Sequence, residues 1–396
     1  MGNSVHPDTD ESAIVDAAIA KLLQAHPPAR TETQELLGAV FDSGLAWIHF
    51  PVGIGGLGLS TVLHQYVYSS LTAAGVPDYI SETPIGYGMA GPTIAEHGTE
   101  AQIAHHLRRI FTGEFVWCQL FSEPGAGSDL ASLSTRAVPT GDGWLVNGQK
   151  VWTTLGHLAQ YGLLVARTDP DALKHQGLTY FLLDMTLPGV EVRPLRQMSG
   201  DAEFNEVYLS DVLVPDSARI GGVGEGWGVA MTTLANERLV LGATTPRHGG
   251  AIDEALALWS AREDKTSAAA RVLRDRLLDL WIRDDVAWLT GARAAQRRES
   301  GPGPEGSVSK IARSSINQQT YELCADLRGA ASLIYSAAAA LDGTAQPGYM
   351  FLRSRAQSIE GGSSEVLRDV VAHRVLGLPP SHRPDKGIPW NEVPRS

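Results

Sequence analysis

The hydrophobic period of this chain changes twice along its length, and that double change limits the fold more than any single motif does. Over residues 11–113 apolar side chains recur at helical spacing, as in IVDAAIAKLLQ and in TEAQIAHHLRRIF, which closes at Gly113. Thr31 and Gln34 have the pattern of a capping box before a helix that stops at Gly44, and a third helix runs from Ser60 toward Gly75. From about 115 to 220 the period shortens. FVWCQLF, LSTRAV, GWLVNGQKVWTT, YGLLVART, LTYFLLDM, VEVRPL and NEVYLSDVLV are β-rich runs separated by turn clusters such as TGDG and LPG. From Gly226 helical spacing returns in GWGVAMTTLANERLVLGA, AAARVLRDRLLDLWIRDDVAWLTGARAAQ, PEGSVSKIARSSINQQTYELCADL and SSEVLRDVVAHRVLG, with RRESGPGPEGS (298–307) as a loop between helices. The expected fold is α+β in three domains: an N-terminal helical domain over 1–114, a middle β domain over 115–225 and a C-terminal four-helix bundle over 226–396.

Composition narrows the functions such a chain can have. Of 396 residues 43% are hydrophobic, enough for a sizeable core, and a formal charge of −12 disfavours a surface that wraps nucleic acid or anionic lipid. Cys118 and Cys324 are too few for a disulfide framework and sit in apolar stretches, so buried reduced thiols and a cytoplasmic location are expected. The opening MGNSVHPDTDESA lacks the basic and apolar regions of a secretory signal, and no apolar run is long enough to cross a bilayer.

Several chemistries drop out. GIGGLG at 53–58 matches a dinucleotide fingerprint by letter, but Pro51 precedes it and helical zones flank it, so it reads as a structural loop. Adjacent His105 and His106 point to different sides of a helix and read as solvated, no clustered ligand set of metal-site type occurs, and no G-x-S-x-G elbow offers a nucleophile.

The most informative stretch is CQLFSEPGAGSDL, residues 118–130. A strand ends in a turn whose small residues Gly127 and Ser128 leave backbone N–H groups and a hydroxyl facing outward, suited to a phosphate or a heteroaromatic edge; a plain tight turn accounts for the same letters equally well. Together with NGQKVWTT (147–154), FNEVYLSDVLVP (204–215) and GGSSEVLRDVVAHRVLGLP (361–379), in that order and spacing, the chain resembles the acyl-CoA dehydrogenase family of flavoproteins over nearly its whole length.

The resemblance implies FAD held between the β domain and the C-terminal helices, with a coenzyme A thioester against the flavin. It places Ser122 near flavin N5 and O4, Gln119 and Phe121 along the isoalloxazine, Gly127 and Ser128 at the pyrophosphate, and Trp152 and Thr154 over the other side of the ring. Ser363 and Glu365 match positions that reach the phosphate or adenosine end; on chemistry alone, Trp152 reads as a core aromatic and Glu365 as a solvated carboxylate at a helix start.

In many members the base is a Glu directly before the Gly that opens the final motif. Here Gly361 takes that place and Glu360 falls one residue early. Members resembling isovaleryl-CoA and long-chain dehydrogenases carry the base in a segment like ANERLV, which makes Glu237 the preferred base, with Arg238 beside it as a substrate-binding residue. Leu234 and Leu241 flank Glu237 on one helical stripe, where burial would raise its pKa toward neutrality; an ion pair with Arg238 is the plainer reading of the same residues. The resemblance implies that Gly361 keeps a role through its backbone N–H, which can bond the thioester carbonyl.

The reaction implied is α,β-dehydrogenation of an acyl-CoA to a trans-2-enoyl-CoA, with electrons passed to an electron-transfer flavoprotein, in a homotetramer or a heterotetramer with a related chain. The family's Arg-Phe-Gly contact to the neighbouring subunit's FAD is not visible in EDKTSAAARVLRD, and LRGAAS (327–332) only loosely resembles the turn over the neighbour's adenosine. Two further readings follow: a partner subunit with little activity alone, and a flavin oxidase or monooxygenase on the same fold.

Overall fold

The structure, a computed structural model, describes residues 9–243, 250–296, 305–333, 347–380 and 385–394, with the side chains of residues 9, 81–82, 237–243, 294–296, 305 and 347 outside that description. It divides into two bodies. The first holds the described residues up to Leu195, Glu203–Glu237 and the segment from Asp385; the second holds Arg196–Ala202 and the described residues between Arg238 and Pro384.

The first body opens with helices α1 (Thr9–Ala25), α2 (Thr33–Asp42), α3 (His64–Ala73), α4 (Tyr79–Glu82), α5 (Gly91–His97) and α6 (Glu100–Phe111). Their core is built on Trp47, whose indole stacks on Phe50 at 5.1 Å and on Tyr87 at 5.2 Å while its Nε1 donates to the Tyr87 carbonyl at 3.0 Å. GIGGLG is the loop wrapped around this core. A Cβ on Gly56 would lie 2.0 Å from the Phe50 carbonyl oxygen, so close backbone approach explains that glycine without a nucleotide.

Two expectations for this region are corrected. The cap of α2 is Glu32, whose carboxylate accepts from the N–H groups of Gln34 and Glu35, because Thr31 spends its hydroxyl on the Pro27 carbonyl at 3.0 Å. A full capping box occurs instead at α6, between Thr99 and Gln102. His106 is not solvated: it is 6% exposed, against Trp117 at 5.2 Å and Tyr161 at 4.9 Å. Burial pushes its pKa down to about 3, with His105 and Arg109 acting in the same direction.

The β domain follows as β1 (Trp117–Leu120), β2 (Arg136–Thr140), β3 (Gly143–Thr154), β4 (Tyr161–Arg167), β5 (Leu178–Asp184), β6 (Val190–Leu195), β7 (Phe204–Val214) and β8 (Arg219–Ile220). The strand order is β6-β7-β3-β2-β4-β5-β8, with β1 pairing parallel to β4. On β4 alternate residues feed two cores. Leu163 and Val165 join the core shared with the N-terminal helices, whereas Leu164 and Ala166 join a second cluster with Cys118, Trp144 and Phe181. Burial on both faces is why YGLLVAR is almost continuously apolar.

α7 (Gly226–Ala243) carries the border between the bodies, at Glu237 and Arg238. In the second body α10 (Glu305–Arg328) packs with α8 (Ala251–Ala261), α9 (Ala268–Gln296), α11 (Pro347–Ser354) and α12 (Ser364–Arg374) around Ala255, Leu277, Leu280, Leu323 and Cys324. Both cysteines are buried and free, and burial pushes the Cys324 thiol up to about 12. Of the stretch expected as a loop at 298–307, residues 298–304 lie outside the described residues, and the remaining three begin α10. On α9, Leu278, Ile282, Val286 and Leu289 form an exposed apolar stripe at helical spacing. Among the described residues no helix is long and apolar enough to cross a membrane, and no group of three or more His, Cys, Asp or Glu could hold a metal.

Candidate functional site

The SEPGAGSD turn and the NGQKVWTT strand meet through an ion pair inside the β domain. Lys150 is fully buried, and its ammonium donates to Glu123 Oε1 at 2.9 Å and to the Phe121 carbonyl at 3.0 Å. Glu123 also accepts from the N–H groups of Ser134 at 2.7 Å and Thr135 at 2.9 Å, so one carboxylate ties both ends of the turn to β3. Burial alone would raise its pKa, but the Lys150 charge and these hydrogen bonds outweigh burial and hold the carboxyl below its usual range. Neither residue was singled out from sequence. A signal existed: Lys150 is in phase with buried Trp144 and Val146 on β3, a position where an isolated cation needs a partner.

Glu123 and Ala126 exchange two backbone hydrogen bonds of 3.0 Å, which turns the chain at Pro124 and Gly125. Beyond that turn, no acceptor among the described residues takes the backbone N–H of Gly127, Ser128 or Asp129, all three of them exposed. A Cβ added at Gly125 or Gly127 would meet nothing within 4 Å, and neither glycine has a positive φ. Nothing among the described residues therefore demands glycine there, while close approach of a ligand to this backbone would.

Trp152 stands on β3, the strand that Lys150 ties to the turn. The Ser122 carbonyl accepts from the Val151 N–H at 2.9 Å, which brings Ser122 beside the start of the WTT segment. Between Lys150 and Thr153 the pairing with β7 slips, so that Val151 and Trp152 face a single partner residue. This bulge places Trp152 at φ 61 and leaves the side chain 60% exposed, edge-on to Phe204 at 6.0 Å. A strained, exposed Trp between the buried Val151 and Thr153 is the opposite of the core aromatic that strand position alone suggests. Thr154 and Gln119 are half-buried, and the side chains of Gln119, Ser122, Ser128 and Thr154 make no hydrogen bond to the described residues. Phe121 is placed differently: its side chain is buried edge-on to Tyr180 at 5.9 Å.

Glu237 lies on α7, and its side chain and that of Arg238 are outside the described residues. One turn earlier on the same helix face, buried Thr233 bonds Thr93 of α5 at 2.9 Å and Tyr180 of β5 at 3.0 Å, which fixes the first half of α7.

The last motif belongs to the second body. Gly361 and Gly362 have φ of 62 and 96, which glycine alone adopts freely, and among the described residues nothing accepts the Gly361 N–H. Lys310 donates to the Gly362 carbonyl at 2.7 Å, and Ser314 to that of Gln357 at 2.8 Å, so α10 holds this turn. The half-buried Glu360 is paired with Arg353 at 3.1 Å. Ser363 caps α12 through the Val366 N–H, while Glu365, near Arg368 at 3.6 Å, lines a cleft of about 410 Å³ with Ser364, Ile311 and Gln318.

The likeness to known proteins runs along nearly the whole chain. The family models described as the N-terminal, middle and C-terminal domains of acyl-CoA dehydrogenase match residues 12–114, 118–212 and 224–376. Acyl-CoA dehydrogenase FadE34 of Mycobacterium tuberculosis is 43% identical over 345 residues, 86% of this chain but 46% of that protein, so the chain spans less than half of that relative's length. Acyl-CoA dehydrogenase IpdE1 of Mycolicibacterium smegmatis is 36% identical over 372 residues, covering 90% of each. Among solved structures, a chain of the ChsE4-ChsE5 complex from Mycobacterium tuberculosis superposes with a TM-score of 0.72 at 27% identity, over 96% of this chain and 100% of that one. With three consecutive domain matches and a relative aligned along nearly the full length of both chains, this chain belongs to the acyl-CoA dehydrogenase family of oxidoreductases.

Proposed function

We propose that the chain binds FAD on the 122–128 turn and β3 and catalyses α,β-dehydrogenation of an acyl-CoA thioester. The observation that carries this reading is the row of N–H groups at Gly127, Ser128 and Asp129 that bond no acceptor among the described residues, on a turn that a buried ion pair ties to β3, the strand of the exposed Trp152. Ser128 and the open backbone of Gly127 would take the pyrophosphate, and Ser122, Gln119, Trp152 and Thr154 the ring. Phe121 would serve that wall through its carbonyl, bonded to Lys150, and through its packing on Tyr180. Ser363 and Glu365 would reach the phosphate or adenosine end. Bound FAD supplies the hydride acceptor that makes the reaction an oxidation.

Glu237 removes a proton from the carbon next to the thioester carbonyl while the adjacent carbon loses a hydride, and a trans double bond forms between them. The Gly361 N–H, which bonds no acceptor among the described residues, donates to the carbonyl oxygen as negative charge builds on it. Arg238 contacts the substrate, and an electron-transfer flavoprotein takes the electrons. Glu360 is committed to Arg353, which supports Glu237 as the base.

The test is anaerobic bleaching of the flavin by a panel of acyl-CoAs. Glu237→Gln keeps size and packing, so FAD should stay bound while flavin reduction slows by at least about 10²-fold. Fast reduction in that variant would remove Glu237 from the role.

A second reading has a specific observation behind it. EDKTSAAARVLRD, which runs from just after α8 into α9, lacks the cross-subunit Arg-Phe-Gly, and one similar solved structure is a complex of two differently named chains. The exposed stripe on α9 supports a tetramer, with this chain or with a related one. If the protein alone reduces no flavin with any thioester, the same assay with the related chain present decides between the readings.

A further inference from the structure

Residues 385–394 return to the β domain and bind almost wholly to the support of the cofactor turn. This segment lies beyond residue 376, where the match to the C-terminal family model ends. Asp385 pairs at 2.8 Å with Lys174, which is 5% exposed and also holds Asp129, the residue after Ser128. Pro389 bridges to Leu173; the Trp390 N–H donates to the Ala172 carbonyl at 3.0 Å, and the Asn391 N–H to that of Pro170 at 3.1 Å. The Trp390 indole donates to the Ser132 carbonyl at 3.3 Å, and its ring covers the Arg167 guanidinium at 4.5 Å. Arg167, itself 3% exposed, donates to the carbonyls of Ala131 at 2.6 Å, Leu133 at 3.3 Å and Lys174 at 3.1 Å.

The strap thus acts at both ends of one short loop. Through Lys174 it fixes Asp129, and through Arg167 and Ser132 it fixes residues 131–133. Between these anchors and the Glu123 clamp stand the N–H groups that bond no acceptor among the described residues. A run of backbone held only by its ends loses conformational entropy when it grips an anion, and anchoring it beforehand removes much of that loss.

We propose that Asp385 and Trp390 are positioning residues of the cofactor site: the C-terminal strap shapes the 127–131 turn for a pyrophosphate, so that FAD affinity depends on a segment outside the domain that carries the turn. The proposal rests on the reading of that turn as the FAD site. It is tested on full-length protein stripped of flavin and titrated with FAD, together with amide hydrogen exchange at Ser132 and Leu133, whose N–H groups bond Asp129 and Leu130. Trp390→Ala and Asp385→Asn should each weaken FAD binding by about 10-fold and speed exchange at those two amides, as loss of preorganisation requires. Trp390→Phe, which keeps a ring over Arg167, should stay close to wild type. Wild-type affinity in both Trp390→Ala and Asp385→Asn overturns the strap proposal alone. A wild-type protein that binds no FAD overturns the cofactor reading and this proposal with it. Should Trp390→Ala fail to fold, Asp385→Asn carries the test, since it removes charge and leaves the tail's backbone contacts in place.

Discussion

The two glycine turns of this protein are anchored by carboxylates of opposite character. Glu123, at the first turn, is buried and holds Lys150 and two backbone N–H groups; Glu360, at the second, is half-buried and holds Arg353 at 3.1 Å. Removing one partner from a desolvated pair leaves a charge that water cannot reach, whereas a partly exposed pair is relieved by solvent. The first turn is therefore built to keep one shape. The second draws its shape from glycine φ values and from the Lys310 and Ser314 bonds of α10 as well as from its carboxylate.

The contrast breaks most readily at Lys150. Lys150→Met keeps the volume and leaves Glu123 buried without its cation, which should cost about 3–5 kcal/mol and lower flavin occupancy. Urea denaturation and the visible spectrum measure the two effects, and an unchanged midpoint would mean that the pair is not what fixes the turn. Adding Glu123→Gln to Lys150→Met should recover part of the loss, because the stranded charge is gone.

Acid sharpens the same contrast. Glu123 has a folded pKa held below its usual value, so its contribution to stability is complete above the unfolded carboxyl pKa of about 4.3 and is lost as pH falls through the lower folded value. The first turn should loosen in that window, and Glu123→Gln should flatten this part of the stability profile. The check is the denaturation midpoint followed from pH 6 to strongly acid conditions; equal slopes in wild type and variant would contradict the clamp.

The smallest effect is expected at the second turn. Glu360→Gln should change stability by no more than about 1 kcal/mol and leave flavin reduction by acyl-CoA near the wild-type rate. Loss of reduction there, with Glu237→Gln still fast, would move the base to Glu360.

Much of this was readable in the letters. The helix, strand, helix zoning follows from hydrophobic period, and the bounds of α7 and α9 match the periodic segments GWGVAMTTLANERLVLGA and AAARVLRDRLLDLWIRDDVAWLTGARAAQ. Local chemistry was less reliable. Thr31 has the spacing of a cap but bonds backward to Pro27, because the preceding turn competes for its hydroxyl and Glu32 can reach the same N–H groups. His106 reads as one more polar residue on an amphipathic helix until β1 and Tyr161 cover it.

What the sequence determined by itself is whatever depends on near neighbours: period, turn chemistry at Pro124 and Gly125, and the glycine pair at 361 and 362. Tertiary structure decided everything that needs partners distant in the chain. Lys150 and Glu123 lie 27 residues apart and Arg167 and Ala131 lie 36 apart, while Trp390 reaches Ser132 across 258. None of these pairs has a periodic signature, because a buried charge states only that it needs a partner. Which residue supplies that partner is set by where the sheet's strands and the returning tail come together.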